Sequence, residues 1–182
     1  MICFVLMPGL VWAAPEASAR LSAKQDKYGG QMVLATSSDP KSFNAILAKE
    51  TSTTLVTNLI FEGLTRINGV TLQVEPNLAE RWETSPDGRE WIFHLRPGVQ
   101  WSDGRLFSAD DVVFTFNDLI YNENIPSSSR DIFTIEGQIF KVAKVDDLTV
   151  KFTLPVKFAP FLKGMTQEIL HRHKLQKAVD SG

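Results

Sequence analysis

Between residues 90 and 96 apolar Trp91, Phe93 and Leu95 alternate with polar Glu90, His94 and Arg96, and only Ile92 breaks the polar side. This period of two is the mark of a half-buried strand. Turn sequences bracket it, Pro86-Asp87-Gly88 before and Arg96-Pro97-Gly98 after, because Pro presets φ and Gly accepts positive φ. Short antiparallel strands are therefore predicted. The stretch "QIFKVAKVDDLTVKFTLP" predicts a second hairpin, two alternating runs around Asp146-Asp147 ended by Pro155. Nearer the start, "GQMVLATSS" predicts a strand that ends at Ser38-Asp39-Pro40, since Pro40 biases Asp39 away from helix.

Helical spacing takes over elsewhere. Leu55, Leu59 and Ile60, with Val56 and Gly63 alongside, predict an amphipathic helix over about residues 51–62, stopped by Gly63. Ser108-Ala109-Asp110-Asp111 precedes the periodic run Val112, Val113, Phe116, Leu119, Ile120. Ser108 is placed to cap that helix and Asp111 stands at its third position, a capping box with aspartate in place of the usual glutamate. "FAPFLKGMTQEILHRHKLQKAV" closes the chain with a mostly helical pattern. No internal repeat or low-complexity tract interrupts this order, and the fold class expected is α+β, short antiparallel hairpins with flanking helices.

Composition narrows the function. The chain has 182 residues, 43% hydrophobic and 22% charged, enough to build a packed core. Its 19 basic and 21 acidic residues give a formal net charge of −2, with no basic stripe to neutralise phosphates, so nucleic acid is not an expected partner. Residues 2–14, "ICFVLMPGLVWAA", are apolar but too short to span a bilayer, and Ala17-Ser18-Ala19 follows as a cleavage pattern. An export signal over residues 1–19 is expected, although it lacks the usual positive start; a buried N-terminal strand or helix is the competing reading. Residues 20–29 are a polar lead-in. Cys3, the one cysteine, falls inside the signal, so the mature chain is expected to form no disulfide and to hold no thiolate-bound metal.

Candidate chemistry centres on Asp103, Asp110 and Asp111, three carboxylates within nine positions. Catalysis needs two carboxylates facing one atom with one of them desolvated, and a calcium loop needs a denser run of oxygen ligands. Each aspartate has a structural reading instead: Asp103-Gly104 as a turn, Asp110 and Asp111 in a helix first turn that favours negative charge. Trp82, Trp91 and Trp101 could form a sugar platform or belong to the core. His171 and His173 could be a metal pair or part of a solvated helix face. No phosphate loop and no G-x-S-x-G nucleophile elbow occurs. No enzyme activity, cofactor or metal is expected.

In that order, "NLIFEGLTRING", "VEPNLAERWETSPDGREWIFHLRPGVQWSDGRLFSADDVVFTFN" and "KVDDLTVKFTLP" resemble the extracellular solute-binding proteins of peptide and nickel ABC importers, the oligopeptide- and dipeptide-binding class. The resemblance covers roughly residues 30–175. It implies a type II periplasmic-binding-protein clamshell that captures a peptide or similar solute between two lobes, outside the cytoplasmic membrane, and delivers it to an ABC permease. Members of that family are far longer, so residues 30–182 are expected to be the N-terminal part, with the second lobe largely missing. Two polar loops map onto the family's cleft, at residues 36–41 and 124–131, giving Thr36, Ser37, Ser38, Asp39, Ser127, Ser128, Ser129 and Arg130 as candidate ligand contacts. The alternative function is a carbohydrate-binding module using Trp82, Trp91 and Trp101.

Overall fold

The computed structural model describes residues 31, 33–36, 38–48 and 50–181. The expected export signal over 1–19, the lead-in over 20–29 and Ser37 lie outside these residues. Internal contacts divide the chain at Ala35, and the unit Thr36–Gly182 holds every helix and strand that follows. In chain order these are α1 (Thr51–Ile60), β1 (Thr65–Ile67), β2 (Val74–Pro76), β3 (Ala79–Thr84), β4 (Glu90–Leu95) and α2 (Ala109–Phe114). α2 runs on into a π-helical segment, Thr115–Ile120, and a 3-10 turn, Arg130–Phe133, comes next. The rest are β5 (Thr134–Ile135), β6 (Gln138–Ile139), β7 (Lys141–Asp146), β8 (Thr149–Thr153), α3 (Phe161–Gly164) and α4 (Arg172–Asp180).

The two hairpins read from alternation join into one antiparallel sheet of order β3-β4-β8-β7. Its register sets Phe93 opposite Trp82 on one side and Val150 on the other, and Trp91 opposite Phe152. The inward face thus becomes aromatic. Phe93 lies 5.5 Å from Phe152, ring centre to ring centre, Phe152 lies 5.6 Å from Phe161, and Phe116 from the π-helical segment meets Phe152 edge-on at 5.1 Å. All four rings are buried, so α2 and its continuation are held against the sheet by apolar area that no local propensity supplies. Turn chemistry agrees with the sequence: Gly88 and Gly98 both take positive φ, at 70° and 74°.

Four expectations change. The strand expected over 30–38 is absent at its described positions, where Val33 and Leu34 are exposed and no ladder forms; alternation alone does not make a strand without a neighbour to pair with. Gly63 is not the stop of α1, which ends at Ile60 with extended Phe61 as its cap. Glycine is required there for another reason: a Cβ would sit 2.6 Å from the Thr166 carbonyl carbon and oxygen. The closing helical pattern splits in two, because the turn ends at Gln167 and three backbone groups between 165 and 170 bond to other elements instead of along a helix. The Met165 carbonyl accepts from the Thr65 N–H, the Ile169 N–H donates to the Glu62 carbonyl, and the Leu170 N–H donates to Thr115 Oγ1.

The fourth change concerns which side of α1 faces in. Thr53 and Thr57 are fully buried, while Leu55 and Leu59 are 53% and 79% exposed. The helix forms as predicted with its apolar stripe turned outward. Thr53 faces inward because its Oγ1 accepts the Lys41 N–H, at 3.2 Å, which would otherwise lack a partner.

Candidate functional site

The three aspartates of the central stretch converge on one short segment, residues 171–174 at the start of α4. The Asp103 carboxylate receives His173 Nε2 at 2.7 Å and the Lys174 ammonium at 3.1 Å, while its other oxygen caps the turn by accepting the Arg105 N–H. Gly104, at φ +84°, makes that turn possible. Asp110 pairs with Lys144 at 2.8 Å and with Arg172 at 3.5 Å. Asp111 is buried and accepts three N–H donors: Ser108 at 3.1 Å, the Trp101 indole at 3.2 Å and Arg172 at 2.8 Å. The Asp110 N–H donates to Ser108 Oγ at 3.3 Å, which completes the capping box.

These contacts make a clasp, with every carboxylate bound to donors and none presented in pairs to a substrate atom. The hydrogen bond from His173, aided by Lys174, holds the Asp103 carboxyl well below its ordinary value of 3.8. Burial pushes His171 below 6.5, its ring lying 5.0 Å from that of Trp101. Among the described residues no group of three or more His, Cys, Asp or Glu could hold a metal ion.

The candidate contacts lie on two segments built differently. In the loop at 124–131, Arg130 turns inward: Nε donates to the Ile120 carbonyl at 3.0 Å, and one Nη donates to the Ile125 carbonyl at 3.0 Å and to that of Asn122. Its guanidinium fixes the loop on the end of the π-helical segment. Ser128 ties the same loop to the stretch before α1, with its N–H on the Ile46 carbonyl at 3.4 Å and its Oγ donating to the Ala48 carbonyl at 3.2 Å. Ser127 Oγ accepts the Ser129 N–H. On the other segment, Thr36 Oγ1 donates to the Ser38 carbonyl at 2.9 Å, and Thr36, Ser38 and Asp39 are exposed.

The loop at 124–131 therefore meets residues 46–48, a neighbour that sequence spacing did not predict. Where they meet, a cleft of about 310 Å³ opens, lined by Ile46, Leu47, Leu119, Ile125, Leu175 and Val179 among others. Its rim carries Asn44 and Asn122, each with its side-chain oxygen accepting a backbone N–H two residues on, at 3.0 Å. One signal for the cleft was present: Leu175 and Val179 stand at i, i+4 on an otherwise polar α4.

The tryptophans do not form a platform. Trp82, Trp91 and Trp101 are half-buried and packed on the core, Trp91 against Phe161 at 5.1 Å and Trp101 against Phe107 at 6.0 Å. Two indole N–H groups are spent inside, Trp91 on the Gly88 carbonyl and Trp101 on Asp111. A sugar needs a free aromatic face, so the carbohydrate-module reading is withdrawn.

Residues 73–180 match the pattern that defines bacterial extracellular solute-binding proteins, family 5 (middle). The chain belongs to this family. Over 178 residues it is 33% identical to the dipeptide-binding protein of Escherichia coli K12, a match that takes in 90% of this chain and 32% of that protein. Its fold is similar to that of the periplasmic binding protein DppA from Helicobacter pylori in complex with the peptide STSA, with TM-score 0.66, 28% identity and coverage of 79% and 31% of the two chains. NikZ from Campylobacter jejuni in complex with Ni(L-His) gives TM-score 0.65 and 30% identity, over 76% of this chain and 27% of that one. The fold is a partial type II periplasmic-binding-protein clamshell, and this family 5 chain spans about a third of the length of the relatives it matches.

Proposed function

We propose that this chain supplies one part of the substrate-binding component of an ABC importer, which captures peptides or similar small solutes outside the cytoplasmic membrane and passes them to the importer's permease subunits. The observation that carries the reading is the likeness, over 79% of the chain, to a binding protein holding a four-residue peptide. The chemistry of the two segments fits capture without turnover. Hydroxyls at Thr36, Ser38 and Ser127 can exchange hydrogen bonds with peptide N–H and C=O groups, Asp39 can accept from a cationic end, and Ser37 belongs to the same segment, whereas Ser129 is buried and supports the second loop from within. Arg130 and Ser128 act as positioning residues that hold the second loop. Such a site orients a ligand by a few polar contacts and takes its affinity from closure around it.

The test uses a full-length family protein in which this chain replaces the matched third of the Escherichia coli dipeptide-binding protein. Calorimetry with a defined tripeptide mixture is expected to give micromolar binding, and replacing Thr36, Ser38 and Asp39 by alanine is expected to weaken it about tenfold or more while the melting temperature holds. Unchanged affinity in that triple variant would remove the first loop from the site. Absence of binding to any peptide, with the chimera folded, would remove the peptide reading itself.

A further inference from the structure

The apolar stripe of α1 faces outward. Leu59 is 79% exposed, Ile60 54% and Leu55 53%, on a helix whose inward face is threonine. Leu55 and Leu59 stand at i, i+4, and Thr51, four residues earlier, is exposed as well. These three form a ridge of the kind that packs into the groove of a facing element. The surface beside the ridge is not flat. One cleft of about 380 Å³ runs from Asn58 to Ile132, itself 53% exposed, and another of about 310 Å³ runs from Ile60 to Trp101. A ridge flanked by two open clefts is the relief of an interface between packed elements.

We infer that this ridge and its two clefts are the docking surface for the remaining part of a family 5 solute-binding protein, the roughly two thirds of the relatives' length that this chain does not span. The inference rests on membership of the family and on the packing of α1, not on the identity of the solute. Length supplies the occupant: matched relatives carry about twice as much further chain as is present here, and exposed apolar side chains at i, i+4 beside clefts call for a packed partner rather than for water. The contact is apolar at its centre, with Asn58, Glu62 and Lys163 at its polar edge.

The test compares the chain alone with the full-length chimera described above. Amide exchange of residues 51–60 is expected to slow in the chimera relative to the isolated chain. Leu59→Glu is expected to leave the melting temperature of the isolated chain unchanged, because that side chain touches little there, and to lower that of the chimera. Val70→Glu, equally exposed at 74% but in the β1–β2 turn, is expected to change neither. In trans, copurification of this chain with the separately expressed remainder is expected to fall about tenfold with Leu59→Glu, the weight of burying one leucine. Equal behaviour of Leu59→Glu and Val70→Glu in both formats would overturn the proposal. So would a dimer of the isolated chain that Leu59→Glu dissociates while the chimera is indifferent, since the surface would then belong to a second copy.

Discussion

Asp111 shows how one side chain can decide the reading of a whole motif. All three of its partners are donors, the Ser108 N–H, the Trp101 indole and the Arg172 N–H, so the buried group must be an acceptor at both oxygens. Asp111→Asn keeps the shape yet turns an NH₂ toward one of these donors, and Asp111→Ala leaves all three unpaired. Chemical denaturation is expected to show losses of about 2–4 kcal/mol for the alanine variant, with the asparagine variant no rescue. The acid response has two parts, one from His171 and one from the carboxylates held low by hydrogen bonds, Asp103 among them with Glu75, Glu83, Asp87 and Asp147. His171 is depressed from 6.5 and Asp103 from 3.8, and a group whose folded value is depressed stabilises the fold above its unfolded value and loses that contribution as pH falls through the folded one. Melting temperature is therefore expected to be flat between about pH 7 and about pH 9 and to decline in two steps on acidification, first below about 6.5 and then below about 4. His171→Phe should remove the first step and Asp103→Asn should shrink the second, which Glu75, Glu83, Asp87 and Asp147 share; a profile with both steps intact in these variants would assign them to other groups.

At the scale of elements, the sequence was legible wherever local chemistry closes on itself. The hairpins, the positive-φ glycines and the Ser108 cap depend on neighbours within a few residues, and each stands where its pattern put it. Ser108→Ala is expected to cost about 0.5–2 kcal/mol by unsatisfying a first-turn N–H, a loss readable by denaturation and separable from any change in ligand affinity. What was not legible depends on distant partners. The interruption of the closing helix is set by Thr65, Glu62 and Thr115, which lie 50 residues or more from the groups they bind. Gly63 was read as punctuation, but it is there for the close pass of the 165–166 backbone. Gly63→Ala is expected to destabilise by about 1–3 kcal/mol through overpacking; a neutral result would mean that this crossing can open. Periodicity likewise located α1 and gave no means of knowing which face would be turned inward.

For the whole molecule, family and fold class followed from the order of turn, tryptophan and cap residues, whereas the candidate site stayed divided, because a clamshell cleft belongs to both walls. Seen alone, this chain offers hydroxyls on two segments and an apolar cleft beside one of them. On the proposed reading, a peptide held by one wall keeps most of its backbone in water, where each hydrogen bond exchanges for one to solvent and contributes little net, while the ordering cost of association remains. Calorimetric titration of the isolated chain with the same tripeptide mixture, with light scattering to report its oligomeric state, tests this division of labour most directly. Affinity no better than about millimolar, equivalent to roughly −4 kcal/mol, is the result expected; micromolar binding by a clean monomer would show that this chain needs no second wall.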